Sequence, residues 1–234
     1  MVEALRTRLS RAASVLVLTG SGISAESGLP TFRGTGGLWR THRVEELASP
    51  AGFARDPRLV WTWYNERRAA HLRAQPSPAH RALASLEGRI ADWTLATQNV
   101  DSLHLRAGSR NVLELHGSLR EARCTQCDAR RPFEAELDLD ALEHSCGGLW
   151  RPDIVWFGES LPAGVLERAL EASHRAELVI VVGTSAVVQP AATLAAKRVT
   201  SGFVVEINPE ETALTPHVDI ALRGTASDVL VQLL

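Results

Sequence analysis

Short runs of apolar residues alternate with longer segments of helical periodicity along most of the chain. The first run, residues 15–18, is an unbroken series of β-branched and aliphatic side chains, which is typical of a strand buried on both faces. Similar runs lie at residues 93–96, 112–115, 154–157, 178–182 and 203–207. Helical patterns separate several of them, at residues 78–86, 163–176 and 188–199. This alternation predicts an α/β fold with a Rossmann-like, doubly wound parallel sheet.

Two segments interrupt the alternation. Residues 38–74 carry no strand pattern and look helical, whereas residues 124–146 are polar and acidic between their cysteines. We therefore expect one catalytic domain with a smaller inserted domain, which combines a helical insertion and a zinc-ribbon-like module. The expected Rossmann-like core covers about 1–33, 77–120 and 151–234, and the small domain about 34–76 and 121–150. Additional helices are expected at residues 5–13 and 226–234.

Composition narrows the class of protein. The 234 residues are 45% hydrophobic and carry a formal net charge of −2, which suits a well-cored α/β domain and argues against a nucleic-acid or membrane partner. Three cysteines suggest no disulfide framework and a reducing compartment, so we expect a cytoplasmic protein. The sequence does not indicate the oligomeric state.

A glycine-rich loop follows the first apolar run. Gly20, Gly22 and Ala25 give the pattern G-x-G-x-x-A, in which glycines form a tight turn and let a pyrophosphate approach the backbone. A dehydrogenase would continue into a second strand that ends in Asp or Glu about 20 residues later. Here the chain instead enters a loop carrying Phe32 and Arg33, which could close over a dinucleotide as a lid. Alone the pattern is weak, because glycine turns after strands are common.

Polar or small residues follow each later apolar run of the predicted sheet. Since ligands of open α/β sheets bind at the carboxyl ends of the strands, we expect these residues to share one crevice. Any one of them alone is equally consistent with a helix cap or a turn. They are Gln98, Asn99 and Asp101, then His116, then Gly183, Thr184 and Ser185, and finally Asn208.

Six segments carry a resemblance to a known family. TGSGISAESGLPTFRG, TQNVD, LHG, VWFGE, GTS and EIN occur in the order found in sirtuins and cover nearly the whole chain. The chain resembles the sirtuin family on these segments, with Ser21 as a departure, because the family usually has alanine there. The resemblance implies an enzyme that consumes NAD as a co-substrate while removing acyl groups from lysine side chains of proteins or peptides. The products would be nicotinamide, free lysine and O-acyl-ADP-ribose.

The resemblance also implies roles for individual residues. His116 matches the general base that takes a proton from a ribose hydroxyl, while Asn99 and Asp101 position the ribose and the nicotinamide. These three are the expected catalytic residues. The expected NAD contacts are Gly20, Ser21, Gly22, Ile23, Glu26, Phe32, Arg33, Gln98, Asn99, Asp101, Gly183, Thr184, Ser185, Asn208 and Ala226. The segment that would pair with the substrate peptide as an added strand consists of Val155, Trp156, Phe157 and Gly158.

The chemical type of the acyl group that is removed is indicated by a cation on a partly apolar helix face. The residues spaced to share this face are Val60, Tyr64, Arg67 and His71. A guanidinium is costly to bury unless an anion meets it, and arginine binds carboxylates with two parallel hydrogen bonds. Spacing alone cannot choose between Arg67 and Arg68. The pattern Tyr64-x-x-Arg67 resembles the sirtuins that remove succinyl and malonyl groups, so we expect this preference with weaker deacetylation, and a solvated Arg68.

The cysteines indicate a metal site. Cys124-x-x-Cys127 is a good half-site for zinc, and Cys146 provides a third thiolate. The resemblance implies a structural zinc ion, but Glu143 stands where sirtuins have their fourth cysteine. Glu143, its neighbour His144 or a water could complete the site. Loss of zinc, with the hairpin held by packing, is the alternative.

Other functions stay open on the sequence alone. The chain could act mainly as a deacetylase, as an ADP-ribosyltransferase on the same fold, or as a non-catalytic module that binds NAD or ADP-ribose. The presence of His116 argues against the last two as main activities. A zinc-ribbon nucleic-acid binder would need a basic stripe, whereas the cysteine module is acidic. Its acidic residues include Glu134, Glu136, Asp138, Asp140 and Glu143.

Overall fold

A parallel six-stranded sheet forms the centre of the protein in a computed structural model, which describes residues 1–32, 43–133, 138–196 and 202–234. In chain order the strands are β1 (Ser14–Thr19), β2 (Asp92–Thr97), β3 (Val112–Glu114), β4 (Gly117–Cys124), β5 (Arg130–Pro132), β6 (Trp150–Ile154), β7 (Leu178–Val182), β8 (Phe203–Ile207) and β9 (Ile220–Leu222). The large sheet has the order β3-β2-β1-β7-β8-β9, and its neighbouring strands are all parallel. The predicted doubly wound, Rossmann-like sheet is confirmed.

Helices pack on both faces of this sheet, and the described residues form nine α-helices in all. They are α1 (Val2–Leu9), α2 (Val44–Leu47), α3 (Pro50–Arg55), α4 (Pro57–Arg73), α5 (Pro78–Glu87), α6 (Leu103–Arg106), α7 (Ala163–Arg175), α8 (Ala191–Ala196) and α9 (Ala226–Leu230). Val15 and Val17 share one apolar cluster with residues of α1, α5 and α9, while Leu16 and Leu18 share another with α7 and α8. Strand β1 is therefore buried on both faces, as its unbroken apolar run predicts. Within the described residues, no helix has both the length and the apolar character needed to cross a membrane.

The chain order of the large sheet reverses between β1 and β7. Strands β1 to β3 extend the sheet in one direction, and β7 to β9 extend it in the other. At such a reversal the connections leave on opposite faces, which opens a crevice at the carboxyl ends of the two central strands. The loops after β1 and β7 meet at this crevice.

A second layer contains α2, α3 and α4 together with a three-stranded antiparallel sheet of order β5-β4-β6. Its core is mainly aromatic: the rings of Trp61 and Phe133 stack with centroids 5.3 Å apart. The Trp61 indole N–H donates to the Trp150 carbonyl at 2.7 Å, which joins α4 to β6. This sheet includes residues 117–120 and 151–154, which the predicted division gave to the Rossmann-like core.

One predicted strand is wrong. The apolar run at residues 154–157 does not join the parallel sheet, because the strand lies earlier, at Trp150–Ile154, and pairs antiparallel with β4. Residues 155–157 follow it in irregular structure, and Gly158 has a φ of +88° that ends the extended backbone. An apolar run identifies a buried segment, but a loop whose side chains line a groove gives the same pattern.

Several helices differ from their predicted bounds. The predicted helix at residues 5–13 lies at Val2–Leu9, and the one at 188–199 is seen as Ala191–Ala196, beyond which residues 197–201 lie outside the described part. After the glycine loop the chain forms a 3₁₀ helix, Ser21–Ser27. The last helix turns into 3₁₀ geometry at Val231–Leu233.

We predict that Gly117→Ala destabilises the protein. Gly117 has a φ of +78°, and a Cβ there would lie 2.0 Å from the Asp153 carbonyl oxygen, where β4 meets β6. The backbone strain and the clash should together cost about 2–4 kcal/mol, which lowers Tm by about 5–10 °C in a chain of this size. Gly164→Ala is the matched control, because no atom lies within 4 Å of its added Cβ and it stands in α7. Equal Tm values for the two variants in a thermal melt would contradict this prediction.

Candidate active site

A cavity of about 810 Å³ opens at the carboxyl ends of the central strands. Side chains from the loops after β1, β2, β3, β7 and β8 line it, together with residues of α4 and of the segment after β6. The cavity brings together most of the predicted NAD contacts: Gly20, Ser21, Gly22, Glu26, Phe32, Gln98, Asn99, Gly183, Thr184, Ser185, Asn208 and Ala226. His116, Tyr64, Arg67 and all four residues of the predicted peptide segment line the same cavity.

The glycines of the first loop allow two chain segments to touch. A Cβ on Gly22 would lie 2.7 Å from Gly183 Cα, and Gly183 itself has a φ of +59°. The Gly22 N–H donates to the Gly183 carbonyl at 2.8 Å, which ties the loop after β1 to the loop after β7. The result is a narrow seam without side chains on the cavity floor, suited to close approach by a pyrophosphate.

Amide side chains connect the strand ends around this seam. The Gln98 amide donates to Thr184 Oγ1 at 2.9 Å, and the Asn208 amide donates to the Thr184 carbonyl at 3.0 Å. The loops after β2 and β8 are thereby joined to the loop after β7 through Thr184. Glu26 lies further along the cavity wall and accepts from Thr225 Oγ1 and from the Ser227 N–H, both at 3.1 Å. Glu26 therefore stabilises the start of α9, where Ala226 lines the cavity.

Asp101 lies behind the cavity wall rather than in it. Its carboxylate accepts from Ser24 Oγ at 2.7 Å and from the Leu103 N–H at 2.9 Å. Ser24 Oγ also accepts from the Asn99 amide at 3.1 Å, so Asn99 and Asp101 are held through one hydroxyl. Burial raises the pKa of Asp101, and the bonds from Leu103 and Ser24 oppose that rise.

Two other predicted contacts do not line the cavity in the described structure. Ile23 is fully buried in the apolar cluster of the large sheet, so its side chain packs rather than facing a ligand. Arg33 lies outside the described residues, as do Glu134 and Glu136 of the acidic module.

His116 has the geometry of a general base. Its Nδ1 lies 2.9 Å from the Gln98 carbonyl oxygen, which can only accept, so Nδ1 carries the proton. The Nε2 lone pair of the neutral ring is therefore free for proton transfer in the cavity that His116 lines. Burial lowers the pKa of His116, partly offset by the Gln98 bond, so the neutral form predominates at pH 7.

Arg67 projects from α4 into the cavity among aromatic rings. Its guanidinium carbon lies 4.4 Å from the Trp63 centroid, 4.6 Å from Phe32 and 6.0 Å from Tyr64. No carboxylate of the described residues lies within ion-pair distance of it. Burial lowers the pKa of Arg67 to about 10, with Tyr64 and Asp101 opposing the shift, so the side chain remains charged at pH 7.

The predicted solvated position of Arg68 is wrong. Arg68 is only 4% exposed, and it donates to the Phe133 carbonyl while its guanidinium carbon lies 4.4 Å from the Phe133 ring. It therefore attaches α4 to the small sheet on the side away from Arg67. The choice of Arg67 as the cavity residue rested on the resemblance, and the structure places Arg67 rather than Arg68 in the cavity wall.

The predicted peptide segment is anchored at both sides of the cavity. The Val155 N–H donates to the His116 carbonyl at 2.9 Å, and the Phe157 N–H donates to the Ala48 carbonyl at 2.9 Å. Between them the Trp156 N–H donates to Glu159 Oε2 at 2.8 Å. Phe157 remains 46% exposed.

Four side chains converge in the cysteine module. Ligand atoms of Cys124, Cys127, His144 and Cys146 all lie within 4.8 Å of one another. Cys124 Sγ is 3.5 Å from Cys146 Sγ, and His144 Nδ1 is 3.6 Å from Cys127 Sγ and 3.0 Å from Cys146 Sγ. Tetrahedral zinc with bonds of about 2.0–2.3 Å needs ligand separations of about 3.3–3.8 Å. Two of the three measured separations fall in this range, and three thiols with one imidazole are donors that zinc prefers. Among the described residues, His144 rather than Glu143 joins the three cysteines.

Sequence reasoning missed several residues that shape the cavity. Ser24 holds both Asn99 and Asp101, although it lies inside the glycine-loop motif. Trp63 stacks on Arg67, and Glu159 fixes the peptide segment. The only available signals were position in a motif for Ser24 and Glu159, and the spacing of four from Trp63 to Arg67 along a helix.

Known proteins resemble this chain over its full length. The sequence profile of the Sir2 family matches residues 20–190. A protein of Archaeoglobus fulgidus named NAD-dependent protein deacylase 1 is 50% identical over 236 aligned residues, which cover 100% of this chain and 96% of the relative.

Solved structures agree with these sequence matches. A mutant of a Sir2 homologue in complex with ADP-ribose has a TM-score of 0.95 and 50% identity, covering 100% of this chain and 95% of the other. A Sir2 homologue in complex with NAD has a TM-score of 0.91 and 50% identity, covering 99% of this chain and 91% of the other. On the profile match, the identity and the shared fold, this chain belongs to the Sir2 (sirtuin) family.

Proposed function

We propose that this protein is an NAD-dependent protein-lysine deacylase that prefers acidic acyl groups, succinyl and malonyl, over acetyl. NAD-dependent deacylation is the activity for which the relative is named, and the strand-end cavity suits a dinucleotide. The acidic preference rests on one observation. Arg67 lines the cavity as a charged guanidinium surrounded by aromatic rings, without an ion-pair partner among the described residues.

The Arg67 guanidinium needs compensation for the hydration that it loses in the cavity. Moving a guanidinium out of water is unfavourable unless an anion and its hydrogen bonds replace the lost hydration. Aromatic faces supply part of this by cation–π attraction, and they leave the planar edge of the guanidinium open. A carboxylate at the end of an acyl chain would supply the rest through two parallel hydrogen bonds. An acetyl group has no such carboxylate, so it would leave Arg67 uncompensated.

The chain's own residues account for the expected chemistry on NAD. The seam at Gly22 and Gly183 accepts the pyrophosphate, and the segment after β6 holds the peptide that carries the acyl-lysine. The acyl oxygen displaces nicotinamide from the ribose carbon. His116 Nε2 then takes a proton from a ribose hydroxyl, whose oxygen attacks the acyl-derived carbon. The bond from that carbon to the lysine nitrogen then breaks and one water adds to the carbon. The products are nicotinamide, free lysine and O-acyl-ADP-ribose, and His116 gives back its proton during these later steps.

We also infer that Cys124, Cys127, His144 and Cys146 hold a structural zinc ion, because their donor set and spacing fit it. When bound, the ion would cross-link β4 to the turn before β6. The three cysteines are free thiols, which supports a cytoplasmic protein as a proposal.

Arg67→Met should reduce kcat/KM for succinyl- and malonyl-lysine peptides by about 30-fold or more, because a buried carboxylate would lose its charged partner. For the acetyl-lysine peptide of the same sequence we expect a change of no more than about threefold. Arg67→Lys should be intermediate, since it keeps the charge but loses the two-pronged hydrogen bond. Equal losses on acidic and acetyl substrates would assign Arg67 a purely structural role and remove the basis for the acyl preference.

The pH profile should show the neutral form of His116 as the active one. Because burial lowers the pKa of His116 below its ordinary value of 6.5, the base form persists into mildly acidic solution. We expect the midpoint of the acidic limb of the kcat/KM profile to lie below pH 6.5, as the imidazole is protonated. His116→Ala should abolish turnover while NAD still quenches tryptophan fluorescence. Turnover retained in His116→Ala would exclude His116 as the base.

Zinc content distinguishes the two candidate fourth ligands. His144→Ala should lower bound zinc well below one ion per chain and lower Tm, whereas Glu143→Ala should keep the ion. The matched control is informative because Glu143 pairs through its backbone with Leu149 next to the same cluster. Elemental analysis after dialysis gives the stoichiometry. Zinc lost from Glu143→Ala but retained in His144→Ala would contradict this ligand assignment.

A further inference from the structure

The hydroxyl of Tyr64 has a single protein partner among the described residues. Tyr64 is 3% exposed, and its Oη accepts a hydrogen bond of 2.9 Å from the indole N–H of Trp156. An indole nitrogen can only donate, so the phenol oxygen is necessarily the acceptor in this pair. Burial raises the pKa of Tyr64, and the nearby Arg67 charge opposes that rise, so the phenol keeps its own proton at pH 7.

Few neighbouring groups can accept the proton of the Tyr64 hydroxyl. One lone pair of the oxygen is already used by Trp156, so the O–H bond must point away from the indole. The neighbouring Arg67 guanidinium has only N–H donors and cannot accept the proton. Tyr64 and Arg67 both line the cavity, so a molecule inside it is in place to supply an acceptor. A carboxylate between the two side chains would accept from both.

We infer that Trp156 is a positioning residue that sets the acyl specificity: it fixes the Tyr64 hydroxyl as a donor directed at the carboxylate of an acidic acyl group. This inference rests on the proposed function and deepens it. Trp156 was expected only as part of the segment that pairs with the substrate peptide. Its indole makes this second contact, with the Tyr64 hydroxyl.

The Trp156 indole, which binds the Tyr64 hydroxyl, is fixed in place by several neighbouring side chains. Trp156 is 2% exposed, and the Arg151 guanidinium carbon lies 3.5 Å from the centroid of its ring. Phe53 packs on it with centroids 5.3 Å apart. Arg151 is itself bound by Glu159 at 2.5 and 2.9 Å, and Glu159 also accepts the Trp156 backbone N–H. Glu159 therefore fixes both the backbone and, through Arg151, the ring.

The hydrogen bond predicts a pattern of coupled losses. Trp156→Phe keeps an aromatic ring but removes the donor, so the Tyr64 hydroxyl becomes free to rotate. For succinyl- and malonyl-lysine peptides we expect kcat/KM to fall about three- to tenfold, mainly through KM, and we expect the loss on the acetyl-lysine peptide to be smaller. Tyr64→Phe should lose at least as much on the acidic substrates. In the Tyr64→Phe background, Trp156→Phe should add nothing further, because both substitutions remove the same interaction.

A spectroscopic measurement tests the bond without any substrate. Tyr64 is the only tyrosine of the sequence, so protein labelled with ¹³C at tyrosine Cζ gives one NMR signal that reports the hydrogen bonding of its oxygen. Trp156→Phe should move this signal. Trp93→Phe is the matched control, because Trp93 is also buried but packs in the separate core cluster of the large sheet. We expect it to leave the signal in place.

The outcomes separate this inference from the proposed function. Wild-type protein that prefers acetyl-lysine would contradict the proposed function and, with it, the role of Trp156 in specificity, whatever the NMR signal does. Wild-type protein that prefers acidic acyl groups, combined with an unmoved Tyr64 signal in Trp156→Phe, would overturn the role of Trp156 alone. Equal losses on acetyl and acidic substrates, or additive losses in the double variant, would also overturn it.

Discussion

A charged guanidinium that lies among aromatic rings, partly removed from water, is the constraint on which the acyl end of the cavity depends. Arg67 is enclosed by Trp63, Phe32 and Tyr64, and none of the described carboxylates pairs with it. A site built this way is incompletely compensated until an anion arrives. The unfavourable free energy of burying the charge then favours anionic acyl groups. A ligand without an anion leaves that free energy uncompensated.

The rest of the structure supports this arrangement from two sides. The parallel sheet provides the strand-end crevice, with Gly22 against Gly183 as the seam and Thr184 tying neighbouring loops. The second layer provides α4, on which Arg67 lines the cavity and Arg68 binds the Phe133 carbonyl beside the small sheet. Because His116 lies in the short link between β3 and β4, the proposed base lies where the two sheets are connected.

Sequence reasoning recovered the features that depend on local pattern. The doubly wound sheet followed from alternating apolar runs, and residues 178–182 and 203–207 agree with β7 and β8 at both ends. The cavity residues followed from their positions after these strands. The strand predicted at residues 154–157 was wrong because a groove-lining loop and a buried strand are equally apolar. The prediction of a solvated Arg68 was wrong because the carbonyl that accepts its hydrogen bond belongs to Phe133, which is far away in the chain.

The metal cluster and the tyrosine contact show the same limit. His144 and Glu143 were indistinguishable by spacing, and only the turn before β6 brings the imidazole to the thiols. The donor for Tyr64 comes from Trp156, 92 positions later in the chain, and no local pattern encodes that pairing. Contacts that join distant segments therefore needed the structure, whereas periodicity and motif order did not.

The most direct measurement of the central claim is a competition within one reaction. Wild-type protein is given equal amounts of one peptide as its acetyl-lysine and succinyl-lysine forms, and the ratio of the two initial rates gives the ratio of kcat/KM values, with a parallel reaction lacking NAD. The account predicts NAD-dependent consumption of the succinyl form ahead of the acetyl form. Faster consumption of the acetyl form would contradict the role given to Arg67, and consumption without NAD would contradict the proposed chemistry itself.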